Sequence, residues 1–186
     1  MMGEELAAFL NTLRNLDPRQ FAAVEKSMHS LIPSITGITT EVNKVGEVEL
    51  SLREGHVAMP ARVVSEGTLR ALGLLALGGV REPPALIGFE EPENGVHPRR
   101  IRDIAKILRT QAASEKTQLI VTTHSPTLLD HIPDESLYVC RKTGGSTTIE
   151  PLGLWGPLFR RPPIEAAFEE ERVPVSQRIL RGDFDA

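Results

Sequence analysis

Apolar positions recur at helical spacing from the start of the chain. Leu6, Phe9, Leu10, Leu13 and Leu16 predict an amphipathic helix over residues 4–16. Asp17-Pro18 then reads as an N-cap followed by proline at the first helical position. The helix it opens carries Phe21, Val24, Met28 and Leu31 before Pro33 ends it. From Ile35 to Met59 the texture changes to β-branched alternation, as in Val45-Gly46-Glu47-Val48-Glu49-Leu50-Ser51-Leu52. That predicts two or three antiparallel strands, with Glu54-Gly55 at a turn. Helix and strand textures alternate beyond residue 65. Thr68–Leu77 is an apolar-rich helix and Ala85–Phe89 a short buried strand. Pro98 opens a helix with Ile101, Ile104, Ala105 and Leu108 on one face, and Gln118–Thr123 is the next buried strand. A short helix at Pro126–His131 follows. Two strands come next, around Ser136–Arg141 and Thr147–Glu150, joined by Gly144-Gly145.

This order implies an α/β layered domain with a largely parallel core sheet flanked by helices, a small antiparallel β region and an N-terminal helical arm. The boundaries it suggests are a helical arm at 1–34, the α/β body at 35–150, and a proline-rich, partly irregular tail at 151–186. In that tail Trp155, Leu158 and Phe159 offer apolar surface, while Pro157, Pro162, Pro163 and Pro174 oppose any long element.

Composition narrows the class. The 186 residues, 40% hydrophobic and 25% charged, are those of a globular chain with one ordinary core. A net charge of −4 exerts no global pull on nucleic acid, so any such contact is expected only indirectly. The basic stretches Arg99-Arg100-Ile101-Arg102 and Arg160-Arg161 read equally well as solvated faces. Cys140 is the one cysteine, which excludes an intramolecular disulfide framework. No signal peptide or membrane span is apparent, and a cytoplasmic location is expected.

The chemistry concentrates at Glu90-Glu91, where a short apolar segment delivers two adjacent carboxylates and Pro92 follows at once. Successive side chains point to opposite sides of a strand, so the two acids can take different tasks. Glu90 would hold Mg²⁺, directly or through water, and Glu91 would orient or deprotonate an attacking water. The plainer alternative is a pair of solvated loop acids. Upstream, Ser65-Glu66-Gly67-Thr68-Leu69-Arg70 begins a helix, whose unsatisfied N–H groups favour an anion. Ser65 as an ordinary cap is the alternative there. Downstream, Val121-Thr122-Thr123-His124-Ser125-Pro126 sets an imidazole just past a strand, where it either reaches a phosphate or caps the next helix. His97 and His124 lack a cysteine partner or compact histidine spacing, which argues against zinc.

Taken together, the three motifs resemble those of ABC-type ATPases, specifically the SMC/RecF/OLD-like branch of bacterial repair and anti-phage defence. The resemblance covers roughly residues 35 to 150. It implies a P-loop NTPase-like fold and gives Glu90 to Mg²⁺ as the Walker-B acid. Glu91 becomes the carboxylate that orients or deprotonates the attacking water, and His124 the switch histidine. Ser65, Gly67 and Thr68 become the signature that contacts the γ-phosphate of ATP held by the other half of a dimer. Asn94 through His97 match the D-loop, which crosses the dimer interface, although His97 equally well stabilises the turn before Pro98. ATP and Mg²⁺ are the implied cofactors.

No lysine in this sequence follows a glycine, so it holds no phosphate-binding P-loop. The expectation is the C-terminal half of such an ATPase, arising as a split subunit, an excised piece or a fragment of an interrupted gene. It would need a P-loop-bearing half or subunit and would work within a dimer of heads. Alone, it should bind ATP poorly and hydrolyse little. The competing reading is a non-catalytic module that only docks a partner. Asp183-Phe184-Asp185 has the Asp-x-Asp form of a Toprim nuclease, but nuclease function is not expected, since such a site requires a further α/β domain with a preceding strand glutamate.

Overall fold

A computed structural model describes residues 2–78, 80, 83–152 and 173–181. The chain divides into two compact units, Met1–Thr123 and His124–Ala186.

The first unit begins with α1 (Met2–Leu16) and α2 (Pro18–Leu31). The predicted cap is present: the Asp17 carboxylate accepts from the Gln20 amide at 3.1 Å, with Pro18 at the first helical position. Ala7, Leu10 and Leu13 of α1 and Phe21, Val24 and Met28 of α2 are buried, three and four residues apart, as one apolar stripe per helix requires. They cover a three-stranded antiparallel sheet made of β1 (Ile35–Val42), β2 (Val48–Glu54) and β3 (Val57–Pro60). Ile38 lies opposite Leu52 and Thr40 opposite Leu50, and all four side chains are buried beneath the helices. Burial obliges Thr40 to find a partner. Its hydroxyl bonds the Asn11 side chain at 3.2 Å, and its carbonyl accepts from Arg14 at 3.0 Å. The first 31 residues therefore share one core with the sheet.

The helix α3 (Glu66–Gly78) adds Leu72 and Ala76 to that core. Next come β4 (Leu86–Glu90), a single 3₁₀ turn at Pro98–Arg100, α4 (Ile101–Ala112) and β5 (Gln118–Thr122). The predicted face of α4 is the observed one, with Ile101, Ile104, Ala105 and Leu108 buried. Strands β4 and β5 pair in parallel, from Leu86 opposite Gln118 to Glu90 opposite Thr122.

One expectation is corrected here. Both strands read as buried in sequence, yet Leu86 and Ile120 are each 54% exposed. Parallel strands are apolar because layers normally cover both faces. Among the described residues, the face that carries Leu86 and Ile120 has no such cover.

In the second unit, α5 (Pro126–Leu129) precedes a hairpin of β6 (Tyr138–Thr143) and β7 (Ser146–Pro151). Gly144 and Gly145 turn it with φ of 58° and 88°, values that glycine adopts without steric cost. Leu137, Leu152 and Val175 form a small core with Leu129, Ile132 and Val139. Helix α6 (Val175–Leu180) is pinned by Ser176, whose amide and hydroxyl donate to Asp130 at 2.8 and 2.6 Å. Trp155, Leu158, Phe159 and Asp183-Phe184-Asp185 lie outside the described residues. Among the described residues, no helix is long and apolar enough to cross a membrane.

Candidate functional site

The two acids part company at the end of β4. Glu90 is the last strand residue and its side chain is exposed. Glu91 leaves the strand with φ 45°, in the left-handed region that side-chain-bearing residues rarely enter, and is half-buried. Its amide still donates to the Thr122 carbonyl at 2.9 Å, so the turn remains anchored to β5. Its carbonyl accepts from the Asn94 amide at 2.9 Å, closing a four-residue turn with buried Pro92 at the second position. The Asn94 side-chain amide also donates to the Glu91 carboxylate, at 3.4 Å.

Glu93, to which the sequence reading assigned no role, extends this link. One of its carboxylate oxygens accepts from the Thr123 hydroxyl. The other is buried with no hydrogen-bond partner among the described residues.

Helix α3 abuts the same turn. Ser65 caps it: its hydroxyl lies 2.8 Å from the Thr68 hydroxyl and 3.3 Å from the Thr68 amide. Gly67 is buried because the chain passes against Gly95, itself at φ 73°. A Cβ on Gly67 would lie 2.1 Å from the Gly95 carbonyl oxygen and 2.6 Å from the Val96 nitrogen. Beside this contact is a cavity of about 110 Å³, lined in part by Ser65, Gly67, Thr68, Gly95, His97 and Arg100. His97 is exposed, and its Nδ1 accepts from the Arg99 amide at 3.3 Å, so it caps the turn that precedes α4.

The structure thus brings Ser65, Gly67, Thr68, Asn94 and His97 to one place, beside the turn that follows Glu90 and Glu91. His124 is the first residue of the second unit. Arg70, the last residue of the Ser65–Arg70 motif, links the helix to the acids. It donates to the Glu66 carboxylate and to the Glu90 and Glu91 carbonyls. Its spacing of four from Glu66 was a readable ion-pair signal; its carbonyl partners had none.

Among the described residues, no cluster of three or more His, Cys, Asp or Glu side chains is assembled for a metal. Zinc or calcium would need one. Mg²⁺ commonly takes one or two carboxylates and completes its shell with phosphate oxygens and water, a demand that the exposed Glu90 fits. A larger cleft of about 530 Å³, bordered by α2, α3 and α4, is lined by none of the candidate residues.

Comparison with known proteins follows the same lines. The family model described as "AAA domain, putative AbiEii toxin, Type IV TA system" matches residues 10–130. An OLD nuclease from Thermus scotoductus is 28% identical over 109 residues, which make up 57% of this chain and 21% of that protein. The chain therefore spans about a fifth of the relative's length. Among solved structures, a Smc head domain with coiled coil and joint from Pyrococcus yayanosii superposes with a TM-score of 0.56 at 15% identity. That match covers 76% of this chain and 29% of that one. A Pyrococcus furiosus Smc head bound to the C-terminal domain of ScpA gives 0.55 at 14%, covering 75% and 37%. At such identities the likeness is one of fold, the α/β, P-loop NTPase-like architecture of those Smc heads.

Proposed function

The chain belongs to this AAA-domain family, and on that premise we propose that it is the C-terminal half of an ABC-type ATPase head. On this reading it contributes the signature, Walker-B, D-loop and switch-histidine motifs, while the P-loop and Q-loop come from elsewhere. The observation that carries the reading is the convergence of the Ser65–Thr68 helix start and the Asn94–His97 turn beside the Glu90-Glu91 pair.

Each residue has a task on this reading. Glu90, at the exposed strand end, holds Mg²⁺. Glu91, half-buried and oriented by Asn94, accepts the proton of the attacking water. His124, two residues beyond the last residue of β5, takes the switch-histidine role that the resemblance implies. Ser65, Gly67 and Thr68 present a helix N-terminus to the γ-phosphate carried by a second head. Asn94 and His97 lie along that shared interface. Bound Mg-ATP supplies the scissile phosphoanhydride and the charge that draws two heads together.

The P-loop comes from elsewhere, either a segment outside this sequence or a partner subunit, because no Gly-Lys pair occurs in these 186 residues. Those missing amides and lysine cradle the β- and γ-phosphates. Hydrolysis by this chain is therefore conditional on complementation.

The test is Mg-ATP hydrolysis by the chain alone and mixed with a P-loop-bearing protein encoded beside it. Hydrolysis should appear in the mixture only. Glu91→Gln should lower it by about 10²-fold or more, the usual contribution of a general base. An active mixture indifferent to Glu91→Gln and Glu90→Gln would show that the motor lies wholly in the partner and leave this chain a docking module.

A further inference from the structure

The Arg70 guanidinium lies between the start of α3 and the acid turn, and its donors are divided between the two. Nε and Nη2 donate to one oxygen of Glu66, at 3.2 and 2.8 Å. Nη1 donates to the Glu90 carbonyl at 3.0 Å, with a longer contact of 3.5 Å to the Glu91 carbonyl. We propose that Arg70 is a positioning residue for the two acids. It holds the Glu90-Glu91 backbone in the geometry from which both carboxylates act, and it couples that geometry to the helix whose N-terminus meets the phosphate. The proposal rests on the roles given above to Glu90 and Glu91.

Three observations carry it. First, the two carbonyls belong to the residues across which the chain departs from β4, and Glu91 adopts φ 45°. A backbone conformation unfavourable to glutamate persists only where its surroundings over-determine it. A cationic donor on consecutive carbonyls is such a constraint. Second, the Arg70 side chain is only 17% exposed while that of Glu66 is 64% exposed. An ion pair so open to water contributes little stability, so the contact with Glu66 serves to aim the guanidinium more than to bind the fold together. Third, the function needs a fork. Arginine can engage a carboxylate with one edge and carbonyls with the remaining amino group, whereas a lysine ammonium on its flexible stem cannot span both in fixed directions. Because one side chain touches both elements, a displacement of α3 is passed to the Glu90 and Glu91 peptides.

The experiment has two arms, both on the whole chain. Amide hydrogen exchange is followed by NMR in Arg70→Ala, Arg70→Lys and Glu66→Gln. The Glu91 amide, bonded to Thr122, and the Asn94 amide, bonded to Glu91, should exchange roughly tenfold faster in both Arg70 variants. They should respond in the same direction, but less, in Glu66→Gln. The amides of Leu50 and Leu52 in β2 should not change. Unchanged exchange at Glu91 and Asn94 overturns the proposal. If an Arg70 variant loosens everywhere, Glu66→Gln decides, since it keeps the side-chain shape and releases only the aim.

In the complemented hydrolysis assay, Arg70→Ala should lower kcat about tenfold with KM for Mg-ATP within twofold. Added millimolar guanidinium should restore part of that kcat in Arg70→Ala and none in Glu91→Gln. A change confined to KM, or no change, overturns the proposal. If the wild-type chain hydrolyses nothing in any mixture while exchange responds as stated, the ATPase reading fails and the positioning contact stands.

Discussion

Replacing Gly67 with alanine sets two opposing effects against each other, and the geometry decides between them. In a helix, Gly→Ala normally stabilises by about 1 kcal/mol, because alanine restricts the unfolded chain. At Gly67 the added Cβ would sit 2.1 Å from a backbone oxygen and 2.6 Å from a backbone nitrogen. Ordinary contacts require more than 3 Å, so either α3 or the Gly95 turn must move by about 1 Å. Forced displacement in a packed site costs roughly 1–3 kcal/mol, and the obstacle here is main chain that cannot rotate away. The net expectation is destabilisation by up to about 2 kcal/mol. Gly73, six residues along the same helix, is the control. A Cβ there meets only Leu6 Cδ1 at 3.9 Å, an ordinary contact. Gly73→Ala should therefore stabilise by up to about 1 kcal/mol. Urea denaturation of the two variants should move the midpoint in opposite directions with unchanged slope. Equal stabilisation by both substitutions would refute the close approach of Gly67 and Gly95. The result also bears on function: since Gly67 is required by packing, its loss cannot be read as loss of a phosphate contact, and Ser65 is the cleaner probe of the signature.

Two further stability effects follow from the first unit. Asp17→Ala removes the side-chain acceptor for the Gln20 amide and should cost about 1 kcal/mol, measured by urea denaturation and recovered in large part by Asp17→Asn. Leu72→Ala empties a fully buried position shared by α3 and the β1–β2 core, and should cost about 2–5 kcal/mol, read as a fall in Tm.

Much of the first unit was legible because short-range chemistry determines it. Asp17-Pro18 announces a helix start, and the spacing of Ile101, Ile104, Ala105 and Leu108 identifies the buried side of α4. What escaped depends on contacts distant in sequence. The apolar run through Leu86 and Ile87 shows that β4 favours burial, but not whether a covering layer lies within this chain. Gly67 and Gly95 each suggest backbone freedom, and neither reveals that the two touch. The Arg70 bonds to the acid turn end on carbonyls, which every residue carries, so no side-chain pattern could disclose them. Among the candidate residues, His97 was open to two readings. The observed cap on Arg99 shows the local one, and a role across an interface is compatible with it.

The most direct test of the central claim is calorimetry of Mg-ATP binding to the chain alone, to a P-loop-bearing protein encoded beside it, and to their mixture, with Glu91→Gln in parallel. The account predicts negligible binding by the chain alone, tighter binding by the mixture than by the partner, and nucleotide retained unhydrolysed with Glu91→Gln. Binding by the mixture equal to that of the partner, and unaffected by changes at Ser65, Glu90 or Glu91, would contradict it.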